Sequence, residues 1–499
     1  MKTKSILILL CFAFIISIFT ACSSEAPSEE IESTTEQKSI SSIPKDDSSF
    51  KLCYTQSDSL NPYECETQNN QTISQLVFES LFNMDEHFKA SCNIAEKYEY
   101  PDSKTLRVTI KDGFVFSDGT SLTADDITYS FRKAVKSSYW GSSLSGISSC
   151  NAVSSTVVDF NLEYPNSYAH NLLIFPIMSQ SSEISNFPIG SGRYYFAKEE
   201  KEIVLKANEQ NDFSPYLTTI HLENIPASES IDNAVNIGNV SLVFRDLSRD
   251  SAKKIDSNYK LVNMNNLVYI GINNKKGLGA NQFIRKAINS AIDRELIAKS
   301  AYSGFAKTAK TVFNPEFELS TTEIFEETAN INTAKQAMQQ SGLSNFSISL
   351  LVNGTNADRV TCAKLIKQQL EDVGFKVNLS IADTYENYEK RIRKEDFDLY
   401  LGEIKITPDM SLQHFFSSKG SAHFGINTKK STSAEEYNKY INGKAELGSF
   451  LISFSEEMPF IPILYRQGMI CFSKEMNGDM QGTSTDCFKN IENWYFISE

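Results

Sequence analysis

The chain has 499 residues, 41% of them hydrophobic and 22% charged, with a formal net charge of −14. That length exceeds what one hydrophobic core usually organises, so two or more lobes are expected. The acidic balance excludes non-specific nucleic-acid binding, which rests on basic surface, and argues against an acidic partner unless a local basic pocket exists.

The N-terminus is a targeting segment rather than part of the fold. Lys2 and Lys4 precede an apolar run, Ile6 to Phe19, broken only by Ser17. The run is too short for a membrane span. It ends in Phe19-Thr20-Ala21-Cys22, which resembles a bacterial lipobox with Phe in place of the usual Leu. On that reading 1–21 is a signal peptide and Cys22 is the lipidated first residue. The alternative is an ordinary signal peptide with an incidental Cys. Ser23 to Ser49 is rich in Ser, Thr and Glu and carries Pro27 and Pro44. It buries too little to fold, and as a flexible tether it reaches roughly 30 Å. Two acyl chains on Cys22 suffice for stable anchoring in a lipid bilayer.

Folding begins at Phe50–Tyr54, a strand by its alternation, followed by Asn61-Pro62. Ile73–Leu81 reads as a helix and Leu106–Ile110 as a strand. Lys111–Ala134 opens with a turn at Asp112-Gly113, continues as a short strand through Phe114 and Phe116, and turns again at Ser117–Thr120. Thr123 then caps a helix with Asp125 and Asp126 in its first turn and Ile127, Phe131 and Ala134 on its buried stripe. Gly190 and Gly192 suit a turn needing positive φ. Leu267–Asn274 is a buried-type strand leading to a helix over Phe283–Arg294, and Asp293 caps a second helix that Gly304 ends. Phe346–Val352, Val360–Val373 and Phe375–Ile381 form a strand–helix–strand unit with Gly374 as C-cap, which implies a parallel sheet. Phe397–Leu401 and Pro459–Tyr465 are further strands.

The wording of several of these stretches carries a family resemblance. Ser117-Asp118-Gly119-Thr120, Ala124-Asp125-Asp126-Ile127 and Tyr129-Ser130 form one dense match, and Ile284-Arg285-Lys286-Ala287-Ile288 with Ala291-Ile292-Asp293-Arg294 form a second. Ile94-Ala95-Glu96, Gly190–Tyr194 and Phe397-Asp398-Leu399 add to them. Together they resemble the extracellular solute-binding proteins of family 5, the peptide- and nickel-binding components of ABC transporters, over about Phe50 to Gly468. The resemblance implies an α/β, periplasmic-binding-protein type II fold: two lobes with mixed sheets, joined by two crossing strands that act as a hinge. The crossings are expected near Val268–Asn273 and Arg466–Phe472. Lobe 1 is expected over 50–267 with a subdomain inserted at about 71–188, lobe 2 over 268–472, and a return to lobe 1 over 473–499. The implied function is capture of an extracellular solute, a peptide foremost, for import through an ABC permease and its ATPase subunits. Nickel chelate, haem or another non-peptide solute is the alternative ligand, and a receptor that signals rather than feeds a transporter is the alternative role.

The chemistry agrees with a binder that has neither cofactor nor catalytic machinery. There is no Gly-x-Ser-x-Gly elbow, His-Glu-x-x-His or phosphate loop, and Gly277-Leu278-Gly279 reads as a plain loop. Five histidines are present; His414 and His423 stand nine apart with no metal motif between them. Seven cysteines follow Cys22 without a Cys-x-x-Cys spacing. Cys53 with Cys65 and Cys471 with Cys487 are possible local pairs, and seven buried thiols are the alternative.

Candidate ligand-binding residues follow from the resemblance. Peptide binders of the family pair an acidic residue, set after a Trp, with the peptide's α-amino group. The matching stretch here is Gly402–Asp409, with Ile404 at the Trp position and Thr407 near the acid. Glu403 and Asp409 are the nearest carboxylates, either replacing it or serving as solvated loop charges. Lys405 suits a ligand carboxylate. Tyr54 and Asn61 on the first strand and loop, Phe244 and Arg245 at a strand end, and Tyr465 and Arg466 near the second crossing complete the set. Trp140 is either a cleft aromatic or part of a core.

Overall fold

A computed structural model of the chain describes residues 50–183, 185–211, 213–225, 228–247 and 256–496. The signal segment, Cys22 and the tether lie outside the described residues. An 11-stranded mixed sheet runs through the rest. In chain order its strands are β1 (Lys51–Tyr54), β2 (Tyr194–Glu199), β3 (Glu202–Ala207), β4 (Thr219–Asn224), β5 (Leu242–Arg245), β6 (Asn258–Ile272), β7 (Ala306–Thr308), β8 (Ser347–Asn353), β9 (Lys376–Ala382), β10 (Leu399–Lys405) and β11 (Phe460–Phe472). Across the sheet they lie in the order β9-β8-β10-β6-β11-β5-β1-β4-β3-β2, with β7 on β11.

The long strands β6 and β11 hold the two ends of this sheet together. They pair from Asn258↔Phe472 to Asn263↔Gln467, shift register, and pair again from Leu267↔Tyr465 to Gly271↔Phe460. The hydrophobic core changes over at the same place. One set of buried side chains runs from Phe50 to Met264 and resumes at Met469 and Ile470. The other is built from Leu267 to Tyr465, joined by Met84 and Phe88. We call the first body lobe 1 and the second lobe 2. Val268–Ile272, expected at a crossing, instead lies inside the sheet of lobe 2, paired along its length with β10. The changeover falls upstream, between Asn263 and Leu267, where β6 loses one core and gains the other.

The second part of β6, Leu267–Ile272, reads as a continuous apolar run because both its faces are covered. Val268, Ile270 and Ile272 enter one core of lobe 2, and Leu267 and Tyr269 the other. Two glycines admit aromatic rings between the strands. Gly402 lies opposite Tyr269 and Gly271 opposite Tyr400. A Cβ at Gly402 would stand 2.5 Å from the Tyr269 ring, and one at Gly271 2.0 Å from that of Tyr400. The two phenols meet at 3.0 Å.

The expected strand–helix–strand unit is β8, helix Ala357–Val373 and β9, with β8 and β9 parallel from Ser347↔Lys376 and Gly374 in the left-handed region. Between β1 and β2 the chain builds a separate antiparallel sheet in the order Ala95–Asp102, Thr105–Ile110, Val157–Leu162, Ile147–Ser154. Helix Ala124–Ala134 packs on it, and the Asp126 carboxylate accepts from the Thr123 N–H at 3.0 Å.

Three local expectations change. The Phe114–Phe116 strand is a single bridge, Val115 to Ser121, closed by turns at Gly113 and Gly119. The helix expected over Ile73–Leu81 runs over Gln68–Val77 and stops where Phe78 turns extended. Gly190 and Gly192 serve close approach rather than positive φ: the Gly192 N–H donates to the Val77 carbonyl at 2.9 Å, and a Cβ on Gly190 would stand 2.0 Å from that oxygen.

Candidate functional site

Between the lobes lies a cavity of about 740 Å3, a size that suits small organic ligands. Lobe 2 supplies its floor from the end of β10, Gly402–Lys405, and from Ile406–Pro408. Arg359, in the first turn of the helix after β8, and Tyr385 and Tyr388, from helix Tyr385–Arg393, stand beside it. Lobe 1 covers it with Tyr139 and Trp140, which meet edge to face at 5.0 Å, and with Ser484 and Thr485 from the C-terminal segment. β8 and β10 are parallel, so the site lies beyond the carboxyl ends of parallel strands, as ligand crevices of open α/β sheets do. A smaller chamber of about 200 Å3, into which Glu79, Arg193 and Asp486 project, shares Tyr139, Trp140, Ser484 and Thr485 with the main cavity.

The floor has an open backbone edge. β10 pairs with β6 from Leu399 to Lys405 on one side but with β8 only at Leu399 and Tyr400 on the other. Past Tyr400 the second edge of β10 has no strand partner among the described residues; the Leu401 carbonyl accepts from the Tyr388 hydroxyl at 2.6 Å, and the backbone beyond it in the cavity wall can take an added strand.

A buried ion cluster underlies this edge. Glu403 accepts from Arg359 Nη2 at 2.9 Å and Nε at 3.1 Å, and from Asn266 Nδ2 at 3.2 Å. Arg466 Nη1 stands 3.7 Å from the same carboxylate, and Arg466 Nη2 3.6 Å from Asp358. The Glu403 and Arg466 side chains are each only 2% exposed. Two acids against two guanidinium groups leave the cluster neutral. Such an arrangement is costly to break, and it joins side chains of β6, β10 and β11 with the helix after β8. Lys405, two residues on, is exposed and has no anionic partner among the described residues; its Nζ lies 5.5 Å from the centre of the Tyr139 ring across the cleft.

Of the residues expected to bind ligand, the cavity brings together Trp140, Glu403, Lys405 and Thr407. Trp140 is half-buried against the lobe 1 core and also faces the cavity, so both roles expected of it coexist. The others are not brought there. Tyr54 and Phe244 are packed in the lobe 1 core. Asn61 accepts from the Tyr63 N–H at 3.0 Å and shapes its own loop. Arg245 is buried at the end of β5, opposite Met469. Tyr465 is a core residue whose hydroxyl donates to the Val312 carbonyl at 2.9 Å. Arg466 lies beneath the cavity, 4.4 Å from the Tyr302 ring. Asp409 has left the cleft altogether. After Thr407 the chain turns at Met410, φ 55°, and places Asp409 against lobe 1, where Asn166 Nδ2 donates to it at 2.6 Å. Thr407 donates to Asp409 as well, and burial holds the Asp409 carboxyl above the usual carboxylate range. The reason these residues miss the site is common to most of them: a strand buried on both faces has no side-chain direction left for a ligand.

The important additions are Tyr139, Arg359 and Tyr385. Tyr139 adjoins Trp140 and carried the same aromatic signal. Arg359 follows the Asn356 cap of a helix at the carboxyl end of β8, a position that becomes a site only once β8 and β10 are known to be neighbours. Ser484 and Thr485 carried no signal. His414, which lines the cavity, is held below the usual imidazole range by burial. Among the described residues no group of three or more His, Cys, Asp or Glu side chains is placed to hold a metal ion, and Cys53, Cys65, Cys92, Cys150, Cys362 and Cys487 form no disulfide.

The family model described as "Bacterial extracellular solute-binding proteins, family 5 Middle" matches residues 89–423, two-thirds of the chain, spanning the inserted sheet, β6 and the cleft floor. The chain belongs to this family. Among family 5 relatives, the oligopeptide-binding protein AppA of Bacillus subtilis is 23% identical over 482 residues, 85% of this chain and 87% of AppA. The structure of the oligopeptide-binding protein AppA from Bacillus subtilis in complex with a nonapeptide shares 20% identity at a TM-score of 0.60, covering 90% of this chain and 99% of that chain. The ABC transporter substrate-binding protein CtaP of Listeria monocytogenes superposes at a TM-score of 0.72 with 20% identity, over 90% and 99% of the two chains. The unliganded open form of the periplasmic murein tripeptide-binding protein MppA superposes at 0.74 with 18% identity, over 90% and 98%. These likenesses establish the two-lobed type II binding-protein fold. Family 5 members are extracellular binding proteins rather than enzymes.

Proposed function

We propose that this family 5 protein captures peptides outside the cytoplasm and delivers them to an ABC permease and its ATPase subunits, closing its lobes over the ligand about β6 and β11. The observation that carries the reading is the open edge of β10 past Tyr400 in the wall of a cavity roofed by aromatic side chains. A peptide's backbone can pair with that edge irrespective of sequence, and its side chains can lie against Tyr139, Trp140 and Tyr385. AppA and MppA are named for the peptides they bind, which supports the same reading.

The rest of the chain fits this role. Acylated Cys22 anchors it in the membrane, and the tether to Ser49 lets the lobes reach a permease. The lobes divide where the core changes over: lobe 1 from Phe50 to Met264 with the subdomain near 71–188 inserted, lobe 2 from Leu267 to Tyr465, and the return to lobe 1 from Met469 onward. No catalytic step is assigned.

Native mass spectrometry of the protein purified from a peptide-rich medium tests the proposal. Bound masses that fragment into amino-acid ladders are expected. A single non-peptide mass, or a metal chelate, overturns the reading.

A further inference from the structure

The cavity has an unusual charge for this chain. Four cationic and two anionic side chains line it, on a protein of formal charge −14. Both anions are already engaged. Glu403 is enclosed by Arg359 and Asn266, and Glu389 pairs with Arg393 at 2.7 Å on the same helix. Asp409 is outside the cavity and saturated by Asn166, Thr407 and the Ser411 N–H. The cleft therefore offers no disengaged carboxylate to an ammonium group.

Its cations are not all engaged. Lys405 Nζ meets no carboxylate and no hydrogen-bond acceptor among the described residues; its one contact is the face of Tyr139 on the other lobe. It projects at the end of the open β10 edge, where a strand added to that edge would begin or end. A carboxylate there would meet the ammonium directly and would close the circuit between the lobes.

Resting on the peptide reading above, we propose that the protein selects its ligand by a carboxylate held at Lys405 against Tyr139, and that a free α-amino group is dispensable. The carboxylate comes either from the peptide's C-terminus or from an Asp or Glu side chain. The rival arrangement is an ammonium group in the small chamber at Glu79. That carboxyl accepts from Asn93 at 2.6 Å, and burial pushes it above the usual range toward its neutral form.

The test is calorimetry on the full-length protein with a peptide recovered from it, compared with the N-acetylated peptide, the C-amidated peptide and a version with Asp and Glu replaced by Asn and Gln. Acetylation is expected to change Kd by less than about threefold, whereas removal of the operative carboxylate weakens binding about tenfold, as loss of one charge-assisted contact does. Whichever of amidation and side-chain replacement causes that loss identifies the carboxylate's source. Lys405→Ala should weaken the parent peptide to the level of the carboxylate-less form without further loss for that form, and Lys405→Arg should retain binding. If acetylation costs about tenfold or more, or Lys405→Ala binds the parent as well as wild type does, the proposal is wrong; sensitivity to acetylation that Glu79→Gln abolishes assigns the rival site. If the parent peptide itself fails to bind wild type, it is the peptide reading that falls, and this proposal with it.

Discussion

Asn166 of lobe 1 donates to Asp409 of lobe 2 at 2.6 Å, in a partly buried seam beside the cleft. Tyr164 Oη and Ser411 Oγ meet at 3.0 Å next to it, and Asn171 Nδ2 donates to the Pro408 carbonyl at 3.2 Å. Thr407 lines the cavity and donates to Asp409, so the floor of the cleft and the seam share one hydrogen-bonded strip. Asn166→Ala should leave a buried acceptor underused and cost about 1–3 kcal/mol. Urea unfolding measures the cost, and hydrogen exchange should quicken first at 164–171 and 407–411.

The Asp409 carboxyl also sets a pH dependence. Burial raises its folded-state pKa above the usual range, so the native state takes up a proton before the unfolded chain does. Wild type should gain stability relative to Asp409→Asn as pH falls from neutrality through that range and lose it as pH rises. Melting temperatures of both proteins from about pH 8 down to about pH 4, the ordinary carboxylate value, check this. A difference that does not vary with pH would count against it.

Arg359 and Glu403 form a pair in which neither charge is well solvated. Arg359→Ala leaves Glu403 with Asn266 and the more distant Arg466, and should cost about 3 kcal/mol. The replacement of both by a Met–Gln pair should cost less, because no charge is stranded. Denaturant titrations of the single and double variants decide between these outcomes.

Gly271 and Gly402 should not tolerate alanine. The added methyl at Gly271 meets the Tyr400 ring, which is packed against Tyr269 and Phe397. The cost should be about 1–3 kcal/mol, the range for overpacked cores, with partial recovery in Gly271→Ala combined with Tyr400→Leu. Equal stability of the single variant and wild type would show that the ring can move aside.

The chain has two tryptophans, and they report on different places. Trp494 is fully buried in the lobe 1 core, whereas Trp140 faces the cavity. Ligand binding should change the emission of Trp140 alone. Trp140→Phe should abolish the ligand-induced change, while Trp494→Phe should preserve it in whatever fraction folds.

Read alone, the sequence determined what near neighbours encode. Thr123, Asp293 and Gly374 mark helix ends by side-chain or backbone preferences that need only the adjacent turn. The periodicity from Phe346 to Ile381 required a parallel pair joined by a helix, and the family wording at Ser117–Ser130 and Ile284–Arg294 carried the architecture. Only the tertiary structure decided which side chains face the ligand. Glu403 and its partner Arg359 are 44 residues apart in sequence, and Asn166 and Asp409 are 243 apart. Glu403, Lys405 and Asp409 look alike as neighbouring charges, yet one is neutralised, one stands open in the cleft and one is turned into the seam. That distinction rests on desolvation and on partners brought from distant strands, quantities that local spacing does not contain.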